Sequence, residues 1–452
     1  MTQTLRTLRD RLARREVTAR AALEASLDSI AKRDPALGAF LTVADTQARA
    51  RADALDARAA LAGPLHGVPV AIKDLADTAG IRTTYGSVLY RDHVPATDDA
   101  VVARLKAAGA VIVGKTMTPE FGFGAVCVNK LAGPTRNPFD PALTSGGSSG
   151  GAAVAVATGM VTLAHGTDFG GSVRTPASFC GVAALRPTPG RLPNPTRALG
   201  WDMLSTAGFI AGSVDDLALA LDAVAGPDPR DPLSTRLFPP SSPGGAPRLA
   251  WTADFGVAPV AKAVRAPFQT AVAKIDAAFG ASHAHPDCAG AIETFHTLRP
   301  PLIRQAYLHL HAAHGDALTP TVRWWIERGA ETKAADWLAA EAARTALYRR
   351  FLAFFERFDA LIAPAAAVLP WPNEKGDVAE IDGVALPTLI DYLAVTFIVS
   401  LVGCPVVVLP AVRAGNGLPV GIQLIGAPGR DADLLALAAR IEKQCGFHRI
   451  EA

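Results

Sequence analysis

The sequence predicts an α/β protein built as a single large domain, with a central mixed, mostly parallel twisted sheet covered by helices on both faces. Three observations lead there. Helix-like and strand-like segments alternate from about residue 63 to 225 and again from about 359 onward. The strand-like runs are continuously apolar, as in strands covered on both faces. Finally, 50% of the 452 residues are apolar and only 19% are charged, enough to build a large core.

Residues 1–62 are rich in Ala, Arg and Leu and read as two or three helices, with Leu5, Leu8 and Leu12 at amphipathic spacing. Residues 63–225 form a core segment. It opens on the strand-like Gly67–Lys73 and continues with a helix capped at Thr97-Asp98-Asp99 and a strand over Ala110–Val113. Residues 226–247 carry seven prolines and no helical period, and read as a loop. Residues 248–358 read as mostly helical. Residues 359–452 return to the core with strands at Ala360–Pro364 and Val420–Ile425 and a closing helix over Asp431–Gln444.

Composition excludes several function classes. A net charge of +2 with no basic stripe argues against nucleic-acid binding, and the high apolar fraction argues against disorder. Five scattered cysteines without a CxxC pair fit a reduced cytoplasmic setting. No secretory signal is seen at the start. Tyr392–Val412 is uncharged and long enough to span a bilayer, but Gly403-Cys404-Pro405 breaks it, so it reads as a buried helix followed by a buried strand.

Three local patterns invite chemistry that their context does not support. Gly109–Thr116 spells a phosphate-binding GxxxxGKT, yet its middle is a β-forming run and Pro119 interrupts the helix that should follow. Gly146–Gly150 spells GxSxG, the nucleophile elbow of an α/β-hydrolase-type esterase using Ser148. No strand leads into it, and only His448 could serve as a late base; this remains an alternative. Six of ten histidines lie between 283 and 314, but without a metal-ligand spacing, so no metal and no cofactor is assigned.

The segment Gly146–Thr188 carries more. Two serine-bearing glycine turns, Gly147–Gly151 and Gly170–Ser172, flank a small-residue helix and a strand over Met160–Ala164. Backbone N–H groups around Phe169, Gly170, Gly171 and Ser172 are suited to an oxyanion, because glycines allow close approach of the chain. Apart from His165, which falls within a strand pattern, no histidine belongs to this segment. Lys73 ends an apolar strand, and a lysine brought into a dry site loses its proton more readily and can act as a base.

The ordered set GVPVAIKD, GKTxxxEFGFG, NPFD, GGSSGG, GTDFGGSVRTPASFCG, LRPT and GLPVGIQLIG resembles the amidase signature family over about residues 20–450. The resemblance implies Ser172 as nucleophile, Ser148 as proton relay after a cis bond from Gly147, and Lys73 as base. It places the oxyanion hole at Phe169, Gly170 and Gly171, with Ser149, Thr167, Asp168 and Arg174 in supporting hydrogen bonds. Substrate contacts are expected from Phe121, Gly122, Phe123 and Trp201 and from the 300–400 region. The expected enzyme is a cofactor-free cytoplasmic hydrolase, monomer or homodimer. It would act on small carboxamides or anilides, and carbamates (urethanes) or esters stay open. Three departures stand out: Met117 replaces a common Asn, Gly208–Val214 replaces GPMARTV, and Ser400–Pro405 replaces NxxGxP. They weigh against the remaining alternative, the glutaminase subunit of a tRNA-dependent amidotransferase.

Overall fold

Residues 3–235, 245–388 and 390–447 are described by a computed structural model. The first helices are α1 (Leu5–Ala13), α2 (Ala19–Leu37) and α3 (Asp45–Asp56), with strand β1 (Phe40–Val43) between the last two. Thr4 and Thr18 cap α1 and α2 by accepting the N–H groups of Thr7 and Ala21. Leu5, Leu8 and Leu12 form the buried stripe of α1.

The next stretch runs β2 (Pro69–Lys73), α4 (Ala100–Ala107), β3 (Val111–Thr116), α5 (Gly150–Ala157), β4 (Leu163–Asp168), α6 (Arg174–Cys180), β5 (Ala183–Arg186), β6 (Thr206–Ala211) and α7 (Val214–Val224). Asp99 caps α4 by accepting the Val101 N–H. The strand expected at Met160–Ala164 begins later and continues to Asp168, because its polar residues are buried toward the site rather than left in a loop.

A mostly helical stretch follows, with β7 (Leu249–Trp251), α8 (Lys262–Phe279), β8 (Ala281–His283), α9 (Ala291–His314), α10 (Pro320–Arg328) and α11 (Ala334–Phe355). The chain ends with β9 (Ala360–Pro364), a ribbon of β10 (Glu380–Ile381) and β11 (Val384–Ala385), then α12 (Ala394–Leu401), β12 (Val406–Arg413), β13 (Pro419–Ile425) and α13 (Asp431–Cys445). Tyr392–Val412 thus includes α12 and most of β12, both buried in protein. No helix among the described residues is long and apolar enough to cross a membrane.

One 11-stranded mixed sheet runs in the order β1-β3-β2-β4-β6-β5-β12-β13-β9-β7-β8. Parallel pairing is confined to β3-β2-β4 and β9-β7-β8; every other neighbouring pair is antiparallel. The expectation of a mostly parallel sheet is corrected on this point. Unbroken apolar runs report burial on both faces, not strand direction, and here antiparallel strands are buried on both faces too.

The faces separate by parity along each strand. Val70, Ile72, Ile112, Leu163, Leu185, Phe209, Val407 and Leu409 belong to one apolar layer. Ala71, Val111, Val113, Ala164, Ala184, Ile210 and Val408 belong to the other, packed with α2, α3 and α5. Small residues dominate that second layer, as in α5, where Gly150 to Ala157 are all buried. The helix can therefore lie close to the sheet while carrying the Ser148–Ser149 turn at its start.

Candidate active site

Lys73 closes β2, whose five residues are all buried. Its Nζ lies 2.7 Å from Ser148 Oγ, 2.9 Å from Ser149 Oγ and 2.9 Å from Thr167 Oγ1. Burial pushes the ammonium down to about 7, partly opposed by the negative charge of Asp168. At neutral pH this amine is therefore poised between its charged and neutral forms.

The two serine turns are tied together by backbone. Ser149 N–H donates to Ser172 C=O at 3.0 Å, and Ser149 Oγ donates to Thr167 C=O at 3.2 Å. The Gly147–Ser148 peptide bond is cis. Ser148 and Ser172 face the same cavity.

Asp168 is the hinge of the second turn. Its carboxylate accepts from Gly171 N–H and Val173 N–H at 3.0 Å each, and from Arg174 Nη2 at 2.7 Å. Arg186 Nη1 adds a contact at 3.1 Å and also donates to the Asp168 carbonyl. Burial alone would raise the Asp168 carboxyl, but the two guanidinium charges hold it far below the ordinary carboxylate range. Arg174 also reaches the Thr396 carbonyl and Ser400 Oγ at 2.7 Å each, so Ser400, at the first position of the altered NxxGxP motif, serves as an arginine acceptor.

This arrangement changes the expected oxyanion hole. The Gly171 N–H is committed to Asp168, so it is not a free donor. The N–H groups of Phe169, Gly170 and Ser172 have no acceptor among the described residues. Gly171 itself has φ of +133°, and a Cβ there would stand 2.5 Å from Thr396 Oγ1. Thr396 Oγ1 in turn donates to the Gly170 carbonyl, which helps set the plane of that peptide.

The cavity over these turns has a volume of about 740 Å³. Phe121, Gly122 and Phe123 line it as expected, together with Phe169, Tyr307 and Trp325. Phe121 and Tyr307 have ring centroids 4.7 Å apart. Trp201 departs from expectation: it is 78% exposed and outside the lining, while its loop neighbours Leu199 and Asp202 contribute instead. An aromatic residue in a loop gives no sequence sign of which way it faces. Glu120 also turns away, accepting from Ser87 Oγ at 2.6 Å and Thr319 N–H at 2.7 Å, a brace between the aromatic turn and α10.

The other local patterns resolve structurally. Lys115 of the GKT motif sits on β3, buried, with Nζ donating to Ala76 C=O, Thr78 Oγ1 and Thr83 Oγ1. Ser148 sits in a turn before α5, and no strand leads directly into it. His448 lies outside the described residues. His165 lines the cavity, but burial and the nearby lysine charges push it down to about 3, so it stays neutral. Among the described residues no three His, Cys, Asp or Glu side chains converge to hold a metal, and His311 faces Glu327 at 3.2 Å. Sequence reasoning missed Arg186, Thr396 and Arg299. Arg186 lies inside the quoted LRPT motif and was within reach; the other two stand in ordinary helical sequence.

A mixed αβ sheet with a buried lysine against two interlocked serine turns defines an enzyme of the amidohydrolase class. The family model described as Amidase matches residues 21–435. The chain is 34% identical to a glutamyl-tRNA(Gln) amidotransferase subunit of Symbiobacterium thermophilum, over 96% of this chain and 95% of the relative. It is 35% identical to the AtzE subunit of 1-carboxybiuret hydrolase from Pseudomonas sp. (strain ADP), over 96% of each. Its fold is similar to that of a bacterial aryl acylamidase, with a TM-score of 0.90 and 27% identity over 99% of this chain and 97% of the other. The chain belongs to the amidase signature family, whose hydrolases act on carbon–nitrogen bonds.

Proposed function

We propose that the chain hydrolyses small carboxamides or anilides through an acyl-enzyme on Ser172, in the cytoplasm and without a partner protein. The observation that carries this reading is the 2.7 Å contact between Lys73 Nζ and Ser148 Oγ in a buried site. The neutral amine takes the Ser148 proton as Ser148 takes that of Ser172, and Ser172 Oγ attacks the amide carbon. The N–H groups of Phe169, Gly170 and Ser172 stabilise the resulting oxyanion. The proton then returns through Ser148 to the departing amine. Water, deprotonated by the same relay, cleaves the acyl-enzyme and restores Ser172.

The experiment is to treat the chain with a fluorophosphonate and locate the adduct by mass spectrometry, beside anilide turnover by wild type and Ser172→Ala. The expected adduct is on Ser172, with turnover lost in the variant. An adduct on Ser148 would favour the esterase alternative. Carbamates and esters assayed in parallel define the leaving groups accepted.

The similarity to an amidotransferase component supports a second reading, a glutaminase that works in a complex. Glutamine hydrolysis only after addition of a partner would favour it over amide turnover by the purified chain.

A further inference from the structure

We propose that Arg299 is an anion-binding residue of this cavity and that the amide substrate carries a carboxylate. This rests on the hydrolase reading above and extends it to the class of substrate. Arg299 lies on α9, lines the cavity and is only 8% exposed. Its Nη1 is buried without a partner, and no carboxylate among the described residues pairs with the guanidinium.

The other arginines around the site have partners for their terminal nitrogens, although Nε of Arg186 and of Arg197 is buried without one among the described residues. Arg174 and Arg186 share Asp168, and Arg197 donates to the carbonyls of Asp202 and Ser205. An unpaired buried guanidinium is unfavourable, and a ligand anion relieves that cost when it binds. Burial lowers the Arg299 guanidinium to about 9, which leaves it cationic at neutral pH.

The packing favours recognition of a planar anion. The guanidinium carbon lies 3.7 Å from the Trp325 ring centroid, 5.5 Å from that of Phe123 and 5.9 Å from that of Phe169. Stacking engages the faces of a guanidinium and leaves its N–H donors in the plane, where they match the two oxygens of a carboxylate. Phe169 immediately precedes Gly170-Gly171-Ser172 in the chain. The anion would therefore bind about one aromatic side chain from the reacting carbonyl and hold that carbonyl against the turn.

The test uses calorimetric binding to the Ser172→Ala chain, so that it does not depend on turnover. The probes are the monoamides of succinate and glutarate and their neutral methyl esters, with N-acetylglycine and its methyl ester for a carboxylate on the leaving-group side. In at least one pair the acid should bind tenfold or more tightly than its ester, and Arg299→Met in the same background should bring the two within about threefold. Arg299→Lys should keep part of the preference. Acids and esters binding alike to the Ser172→Ala chain would overturn the proposal, as would a preference that survives Arg299→Met. Absence of a fluorophosphonate adduct on Ser172 in the wild type would instead count against the hydrolase reading.

Discussion

Lys73 Nζ stands 2.7 Å from Ser148 Oγ and, among the described residues, meets no carboxylate at hydrogen-bond distance, only hydroxyls and a carbonyl. With no anion in contact, burial decides its charge, and the amine sits at about 7. Since only the neutral amine accepts a proton, kcat/KM should rise with pH, reach half its maximum near 7 and level off above. A rate flat across neutral pH would contradict this. Lys73→Arg should not rescue activity, because a guanidinium stays protonated; a loss of about 10²–10⁴-fold is expected.

Asp168 holds two buried arginines. Asp168→Asn would leave both without their counter-charge, at a cost of about 3–5 kcal/mol, read as a lower urea midpoint. The carboxyl is depressed in the folded state, so its contribution is present above the ordinary carboxylate range and fades as the pH falls toward the folded-state value. Wild type should therefore weaken in acid more than Asp168→Asn does. Parallel acid sensitivity in the two proteins would show that Asp168 is not the group responsible.

Gly171→Ala tests the geometry of the second turn. The new methyl would meet Thr396 Oγ1 at a backbone conformation that side chains rarely adopt. Relieving the clash rotates the peptides that carry the oxyanion donors, and kcat should fall by about 10²–10³-fold with the far-ultraviolet circular dichroism unchanged. A variant with normal kcat would mean these donors are not used.

Phe123→Ala and Trp201→Ala separate two of the three aromatic substrate contacts named from sequence. Phe123 touches Tyr307 and Arg299, so its loss should raise KM for small amides by about tenfold, through lost packing. Trp201 is largely solvent-exposed, and its removal should change KM by less than about twofold. The reverse ranking would show that the Arg197–Thr206 loop closes over substrate.

Much of this was legible along the chain. The β-branched run ending in Lys73, the cap at Asp99 and the apolar stretch around Cys404 each produced the element their chemistry implies. The glycine–serine turns announced themselves because close backbone approach leaves few residue choices. Strand direction did not, since two-sided burial erases alternation in parallel and antiparallel strands alike. Nor did Arg299, one arginine among 34 until folding removes it from water without a partner. The Gly171 donor was misjudged for a related reason: a backbone N–H has no sequence of its own, and its engagement depends on where the Asp168 side chain folds.

The strand order also bears on how the chain matures during synthesis. β5 reaches its outer neighbour β12 only after residue 406 has been made, so for more than 200 residues of translation its open edge has nothing of its own to pair with. The turns around Ser148 and Ser172 are synthesised early in that interval, whereas Thr396 and Ser400, which brace the second turn, arrive only just before β12. A nascent chain halted before β12 would present a long unpaired edge, the kind of surface that draws chains into aggregates. The last eighth of the polypeptide thus decides both solubility and the onset of catalytic competence, and carboxy-terminal truncations should yield inclusion bodies rather than slow enzymes.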